Sequence, residues 1–293
     1  MLLAINCRRL QPTGKWDENP MTIDNWMNQQ QKIMAETSNT NHPHFSSEID
    51  RVFFTDGVKM ASEYLKSGIT TENLLTLSDS IYESMDQLIE TFIQKCLKEK
   101  KTVDCKQGCY LCCCQAVLIL PYEILYLYRY LKENVEKKVL TAILRRAKEK
   151  NEITSKMKAR EFLHYKAPCP LLENGSCLAY EARPLACRTY ISSRVDSCIE
   201  EYHNPHNVNI FPDLYDFTIR AGRMINEGIS NYLIENNIPA TEWQIESSLL
   251  TAFEDKKAFD KWLSGENIFQ KRNYTMEELV YIDNFGKNKG KGD

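Results

Sequence analysis

The sequence predicts a mainly α protein: a helical domain with irregular cysteine-rich loops and one short β-hairpin. Three observations carry that expectation. From Glu48 onward apolar residues recur at steps of three and four, the period of an amphipathic helix rather than a strand. No strands alternate with helices and no segment repeats, which sets aside βαβ and solenoid architectures. Asn174-Gly175, a tight-turn pair, stands between Cys169 and Cys177 and marks the hairpin.

Along the chain, residues 1–47 are polar and read as a weakly structured arm. It holds one candidate helix, Ile23 to Glu36, together with Cys7, His42 and His44, for which no role is expected. The helical domain is expected over 48–270. Its clearest helix runs from Thr71 to Lys100, with Leu74, Ile81, Met85, Leu88, Phe92 and Cys96 near one face. Thr70 or Thr71 caps its start, and Cys96 reads as a buried thiol on the stripe. A second helix starts at Pro121, a favoured first position, and ends near Glu133; a third, charged one covers Glu136 to Phe162. Two more follow, Asp213 to Asn236 and Thr241 to Leu263, separated by Pro239. Residues 271–293, ending Gly/Lys-rich, read as a tail.

At 293 residues the chain can form one large or two modest domains, and 43% hydrophobic with 26% charged residues is ordinary for a globular protein. A net charge of −3 and a pI near 6.0 argue against a nucleic-acid partner. The apolar run from Ala116 to Leu120 is too short to cross a membrane. Near the start, Arg8 and Arg9 follow the short apolar stretch instead of preceding it, the wrong order for a secretory signal. The expected location is therefore cytoplasmic, where structural disulfides are rare.

Against that background eleven cysteines are abnormal. One group is Cys105, Cys109, Cys112 and Cys113, followed by Cys114; the other is Cys169, Cys177, Cys187 and Cys198. Their neighbours are Gly, Pro, Asn, Lys and Gln rather than an apolar stripe, so burial alone does not account for them. Gly108 allows a tight turn beside Cys109. A helix starting at Cys109 would lower nearby thiol pKa values and favour the thiolate that a metal requires. Cys112 and Cys113 on such a helix should point about 100° apart, which favours two metals, a multinuclear cluster or one bystander. Arg183 and Arg188 can offset thiolate charge, and Pro184 fixes the turn before Cys187. The eight cysteines suit two four-thiolate zinc sites or iron–sulfur clusters; without Cys198 one metal keeps an open position. His164, His203 and His206 are the histidines placed to complete a site.

Several spaced motifs in this order resemble a known family. Cys105-x-x-x-Cys109-x-x-Cys112-Cys113, Cys169-Pro170-Leu171-Leu172, Gly175-Ser-Cys177 and Tyr180-Glu-x-Arg183-Pro184-x-x-Cys187-Arg188 are together similar to the YkgJ-like cysteine-cluster family, described as a zinc- or iron-chelating domain. The likeness spans Cys105 to Cys198. It implies bound metal; some relatives are labelled iron–sulfur oxidoreductases, and flagellin lysine methylases carry a similar cluster. Cys114 is extra to the pattern and is kept as a reserve ligand. The expectation is a zinc- or iron-binding protein, either an iron-dependent enzyme acting on a protein or peptide, or a non-catalytic zinc protein or metal carrier. The spacing of Cys105, Cys109 and Cys112 also resembles radical S-adenosylmethionine enzymes, but that superfamily needs a barrel of alternating strands and helices, and Leu111 stands where it usually has an aromatic residue.

Overall fold

The computed structural model describes residues 47–282 except 107, 208, 272, 279 and 280. The candidate helix at Ile23–Glu36, Cys7, His42, His44 and the Gly286–Asp293 end lie outside the described residues.

Helix α1, Glu48–Tyr64, is capped by Ser47, whose hydroxyl accepts the Asp50 N–H at 3.2 Å. Helix α2, Thr71–Lys98, begins as its sequence anticipates: Thr70 accepts the Asn73 N–H at 3.2 Å, and Lys95 and Lys98 sit at the negative end of the dipole. Leu74, Ile81, Met85 and Cys96 are all buried on its inner face. A 3₁₀ turn at Leu111–Cys114 leads to strand β1, Leu118–Ile119, and then to α3, Pro121–Asn134.

Where one charged helix was expected over Glu136–Phe162, the chain makes two, α4 at Lys137–Thr154 and α5 at Ala159–His164. Tertiary bonds explain the break. Thr154 turns its hydroxyl inward to Glu246 at 2.9 Å, while Lys158 is extended and donates its N–H to Glu161 at 2.9 Å. Glu278 accepts the Ala159 N–H at 2.9 Å, so part of the segment read as a tail packs against this helix start.

Strands β2, Leu172–Glu173, and β3, Ser176–Cys177, form the expected antiparallel hairpin. Asn174 and Gly175 both have positive φ, 50° and 77°, as a two-residue turn of primed type requires. Then come α6, Leu185–Arg188, α7, Val195–His203, and α8, Asp216–Glu235.

The expected Thr241–Leu263 helix is also divided. Trp243–Gln244 is strand β4, pairing antiparallel with β1 in the register Leu118↔Gln244 and Ile119↔Trp243. Helix α9 spans Ile245–Glu254; Asp255 leaves it, its carboxylate accepting the Lys257 N–H at 2.9 Å, and α10 restarts at Ala258–Leu263.

One contiguous apolar core joins these helices, with Trp262, Tyr122 and Phe269 among its largest buried side chains. The longest interface is α1 against α8. Glycines make it possible: a Cβ at Gly57 would overlap the Ile225 carbonyl, and one at Gly228 the Phe54 carbonyl. Arg220 closes the pair with two bonds to the buried Asp50, at 2.8 and 2.6 Å. Among the described residues no helix is long and apolar enough to cross a membrane.

Candidate metal centre

All ten described cysteines are free thiols. Backbone hydrogen bonds draw the two groups together across the sequence. The Cys169 N–H donates to the Cys113 carbonyl at 2.7 Å and the Ala167 N–H to the Cys114 carbonyl at 2.9 Å. The Asp104 N–H donates to the Ser192 carbonyl at 3.2 Å, and the Asp104 carboxylate accepts the Val195 N–H at the start of α7. The hairpin turn meets the first loop as well, a Cβ at Gly175 falling 3.8 Å from the Gly108 carbonyl. Gly108 itself has φ 89°, a conformation that the turn beside Cys109 needs and a side chain would resist.

The thiols sort differently from their order in the chain. Cys105 lies within electrostatic reach of Cys109 and Cys198. Cys113 lies within reach of Cys169 and Cys187, and Cys187 within reach of Cys169 and Cys177. Cys112 influences both sets, touching the titration of Cys105 and Cys198 on one side and of Cys113, Cys177 and Cys187 on the other. Cys198 thus joins Cys105 and Cys109 rather than its own sequence group.

A helix beginning at Cys109 was expected; the helical turn starts at Leu111 and is 3₁₀. Cys112 and Cys113, expected to diverge, are instead in contact, and the Cys113 thiol donates to Cys112. That bond, with Arg183 nearby, lowers Cys112 to about 7 and raises Cys113. Elsewhere burial dominates. It pushes Cys105 up to about 11 even though the Ser192 N–H donates to its sulfur at 3.0 Å, and Cys169 up to about 12. Cys177, Cys187 and Cys198 are raised by the same cause. Gathered thiols of this kind do not ionise together unless a cation offsets their charge.

Of the two expected arginines Arg183 favours the charged forms of Cys112, Cys177 and Cys187. Its guanidinium lies 3.7 Å over the exposed Tyr180 ring. Arg188 is buried elsewhere, bonded to Asp86, to the Arg183 carbonyl at 2.8 Å and to the Glu181 carbonyl. It holds the turn that carries Cys187.

His164 is buried, its Nδ1 donating to the Pro205 carbonyl and its Nε2 accepting from Tyr281 at 2.6 Å. Both nitrogens are engaged in joining distant segments. His203 and His206 are exposed. Cys114 is buried, close to the charges of Lys150 and Lys166.

Sequence reasoning missed several supports. Lys166 and Glu201 form an ion pair at 2.5 Å, each side chain only 7% exposed, beside Cys114 and Cys198. Gln115 donates to Tyr190 at 2.6 Å. The buried Glu123 accepts N–H bonds from Leu120 and, at 2.8 Å, from Leu185 at the start of the Cys187 turn. A Glu two residues after Pro121 signals a helix start, but nothing local tells that it also holds a turn some sixty residues on.

Among the described residues no group of three or more His, Cys, Asp or Glu side chains is arranged to hold a metal ion. The sulfurs point as hydrogen-bonding thiols do, Cys113 to Cys112 and Cys105 toward the Ser192 amide. The donor chemistry nonetheless fits zinc or iron, since soft thiolates are the ligands both accept in four-sulfur sites.

No protein-family model, curated protein or solved structure matches the chain.

Proposed function

We propose that the chain is a thiolate metal-binding protein that holds zinc or iron, including iron in an iron–sulfur cluster. The observation that carries the reading is the mutual electrostatic reach of the eight free thiols in two sets, Cys105, Cys109 and Cys198 in one and Cys113, Cys169, Cys177 and Cys187 in the other, with Cys112 acting on both. Buried thiols raised by desolvation and by one another stay protonated on their own, and a bound cation is what would let them ionise together. Closing a shell requires the cysteine side chains to leave their present hydrogen bonds and rotate toward a shared centre, with the stapled backbone unchanged. The motif resemblance to the YkgJ-like family supports the same reading.

Metal here supplies either redox chemistry on a protein or peptide or a structural clamp. The first is supported by Arg183 and Tyr180 at the exposed edge of the thiols, where a substrate group can be met. The second, a non-catalytic zinc protein or carrier, is supported by the donor count, since eight thiolates close two four-sulfur sites with no position left open. Metal and acid-labile sulfide analysis with a visible spectrum, on protein purified without oxygen, tests both. Iron with sulfide supports the redox reading, about two zinc per chain without iron supports the clamp, and metal-free protein after metal-replete growth refutes the proposal.

A further inference from the structure

Lys150, on α4, is 8% exposed, and among the described residues it makes no ion pair. Its ammonium donates a single long bond, 3.4 Å, to the Ala167 carbonyl. Ala167 is itself stapled to the first cysteine loop. Its N–H donates to the Cys114 carbonyl at 2.9 Å, and two residues on the Cys169 N–H donates to the Cys113 carbonyl at 2.7 Å. A buried ammonium is costly unless an anion faces it, and here no carboxylate does so. On the metal-binding reading above, we propose that Lys150 is the buried counter-charge of a four-thiolate metal site formed by Cys113, Cys169, Cys177 and Cys187. It is a positioning residue outside the cysteine loops, and the affinity of that site for metal depends on it.

Other cations packed near the thiols have carboxylates of their own: Lys166 pairs with Glu201, Arg188 with Asp86 and Arg146 with Glu173. Lys150 and Arg183 do not. The Arg183 Nε is buried without a partner, and among the described residues its guanidinium makes no ion pair. Cys169 and Cys114 lie within electrostatic reach of Lys150, and Cys177 and Cys187 within reach of Arg183. The buried Glu246, bonded to Thr154 at 2.9 Å, opposes ionisation of Cys169, which makes a cation there the more necessary. A divalent ion held by four thiolates carries two negative charges. Lys150 in the core and Arg183 beside the exposed Tyr180 set two positive charges against them.

Zinc titration of the full chain against a chromophoric chelator, without oxygen, tests the assignment, with Cys177→Ser marking the ion that belongs to this set. Lys150→Met removes the charge, and Lys150→Gln removes it while keeping a donor for a carbonyl. Each is expected to weaken that ion by about tenfold or more, and the cobalt(II) form to give up its thiolate charge-transfer absorbance at correspondingly less chelator. Urea unfolding of the metal-free proteins is the control: Lys150→Met should be at least as stable as the wild type, because a buried charge without a partner has gone. Unchanged zinc affinity in both variants overturns the assignment. So does wild-type affinity in Lys150→Gln alone, which would make the hydrogen bond the contribution, or a metal-free Lys150→Met less stable than the wild type, which would make the side chain a packing residue. These results, in a wild type that binds metal, touch Lys150 alone. A wild-type chain that takes up neither zinc nor iron refutes the metal-binding reading itself, and the role of Lys150 with it.

Discussion

Replacing Glu123 by Gln should alter how stability depends on pH. The carboxyl is 1% exposed, and burial raises it from an ordinary 4.5 to about 7 against the pull of the Leu185 and Leu120 N–H groups and the Asn226 amide. The folded protein therefore keeps this proton to a higher pH than the unfolded chain. Between pH 4.5 and about 7 unfolding releases a proton, so stability is greatest below the unfolded value and falls as pH rises through the folded one. A shift of that size corresponds to about 3 kcal/mol lost across the window. Glu123→Gln has no such titration. Its amide offers one acceptor where two backbone donors converge, which leaves one N–H facing a donor at a cost of about 1–3 kcal/mol at every pH. Urea unfolding of both proteins from pH 4.5 to 8 reads the effect. The wild type should be the more stable at acid pH, and its advantage should shrink by about 3 kcal/mol toward pH 8. Parallel stability curves would refute the reasoning.

Three further outcomes follow from the packing and the thiols. Gly57→Ala or Gly228→Ala should each lower stability by at least about 1 kcal/mol, because the clash with a facing carbonyl exceeds the gain in helix propensity; an unchanged or higher denaturation midpoint contradicts this. Lys166→Met should cost about 3–5 kcal/mol by stranding the buried Glu201 charge, and adding Glu201→Leu should recover most of it. A double-mutant cycle without recovery sinks that account. Cys112→Ser should lower bound metal more than Cys96→Ser, whose thiol is buried on α2 away from the cluster, and equal metal content in the two variants would speak against Cys112 as the shared centre.

The helices were legible where local signals and packing agree. Thr70 capping, the Leu74–Cys96 stripe, Pro121 and the Asn174-Gly175 turn all act within a few residues, and each is found where the sequence suggested. What escaped was decided at long range. Trp243 and Gln244 carry helical spacing but are drawn into a strand by Leu118 and Ile119, more than a hundred residues earlier. The break after Thr154 depends on Glu246 and Glu278. In the candidate site, spacing pointed to the cysteines but not to their grouping. The bonds from Cys169 to Cys113 and from Asp104 to Ser192 fold the two groups over each other and send Cys198 to Cys105. Arg183 and Arg188 look equivalent in sequence, and their tertiary partners separate them, Asp86 and two backbone carbonyls holding Arg188 while Arg183 lies over Tyr180.

If the protein holds metal as proposed, removing that metal should leave it folded. In small zinc domains the metal supplies the folding free energy and chelation denatures them. Here the core runs through Leu74, Leu127, Ile143, Ile229, Leu249 and Trp262, on helices that carry none of the eight thiols. The loops bearing those thiols are anchored by hydrogen bonds that need no ion, Cys169 to Cys113, Asp104 to Ser192 and Leu185 to Glu123. Metal bound only by the folded state adds stability by mass action, about 4 kcal/mol at a thousandfold excess over Kd, without being a condition of folding. Chelation should therefore lower the melting temperature while the helical circular dichroism at 25 °C stays the same. Cooperative loss of helix on chelation at that temperature would show that the loops and the core fold as one metal-dependent unit, and that the staples between the cysteine groups are too weak to hold them.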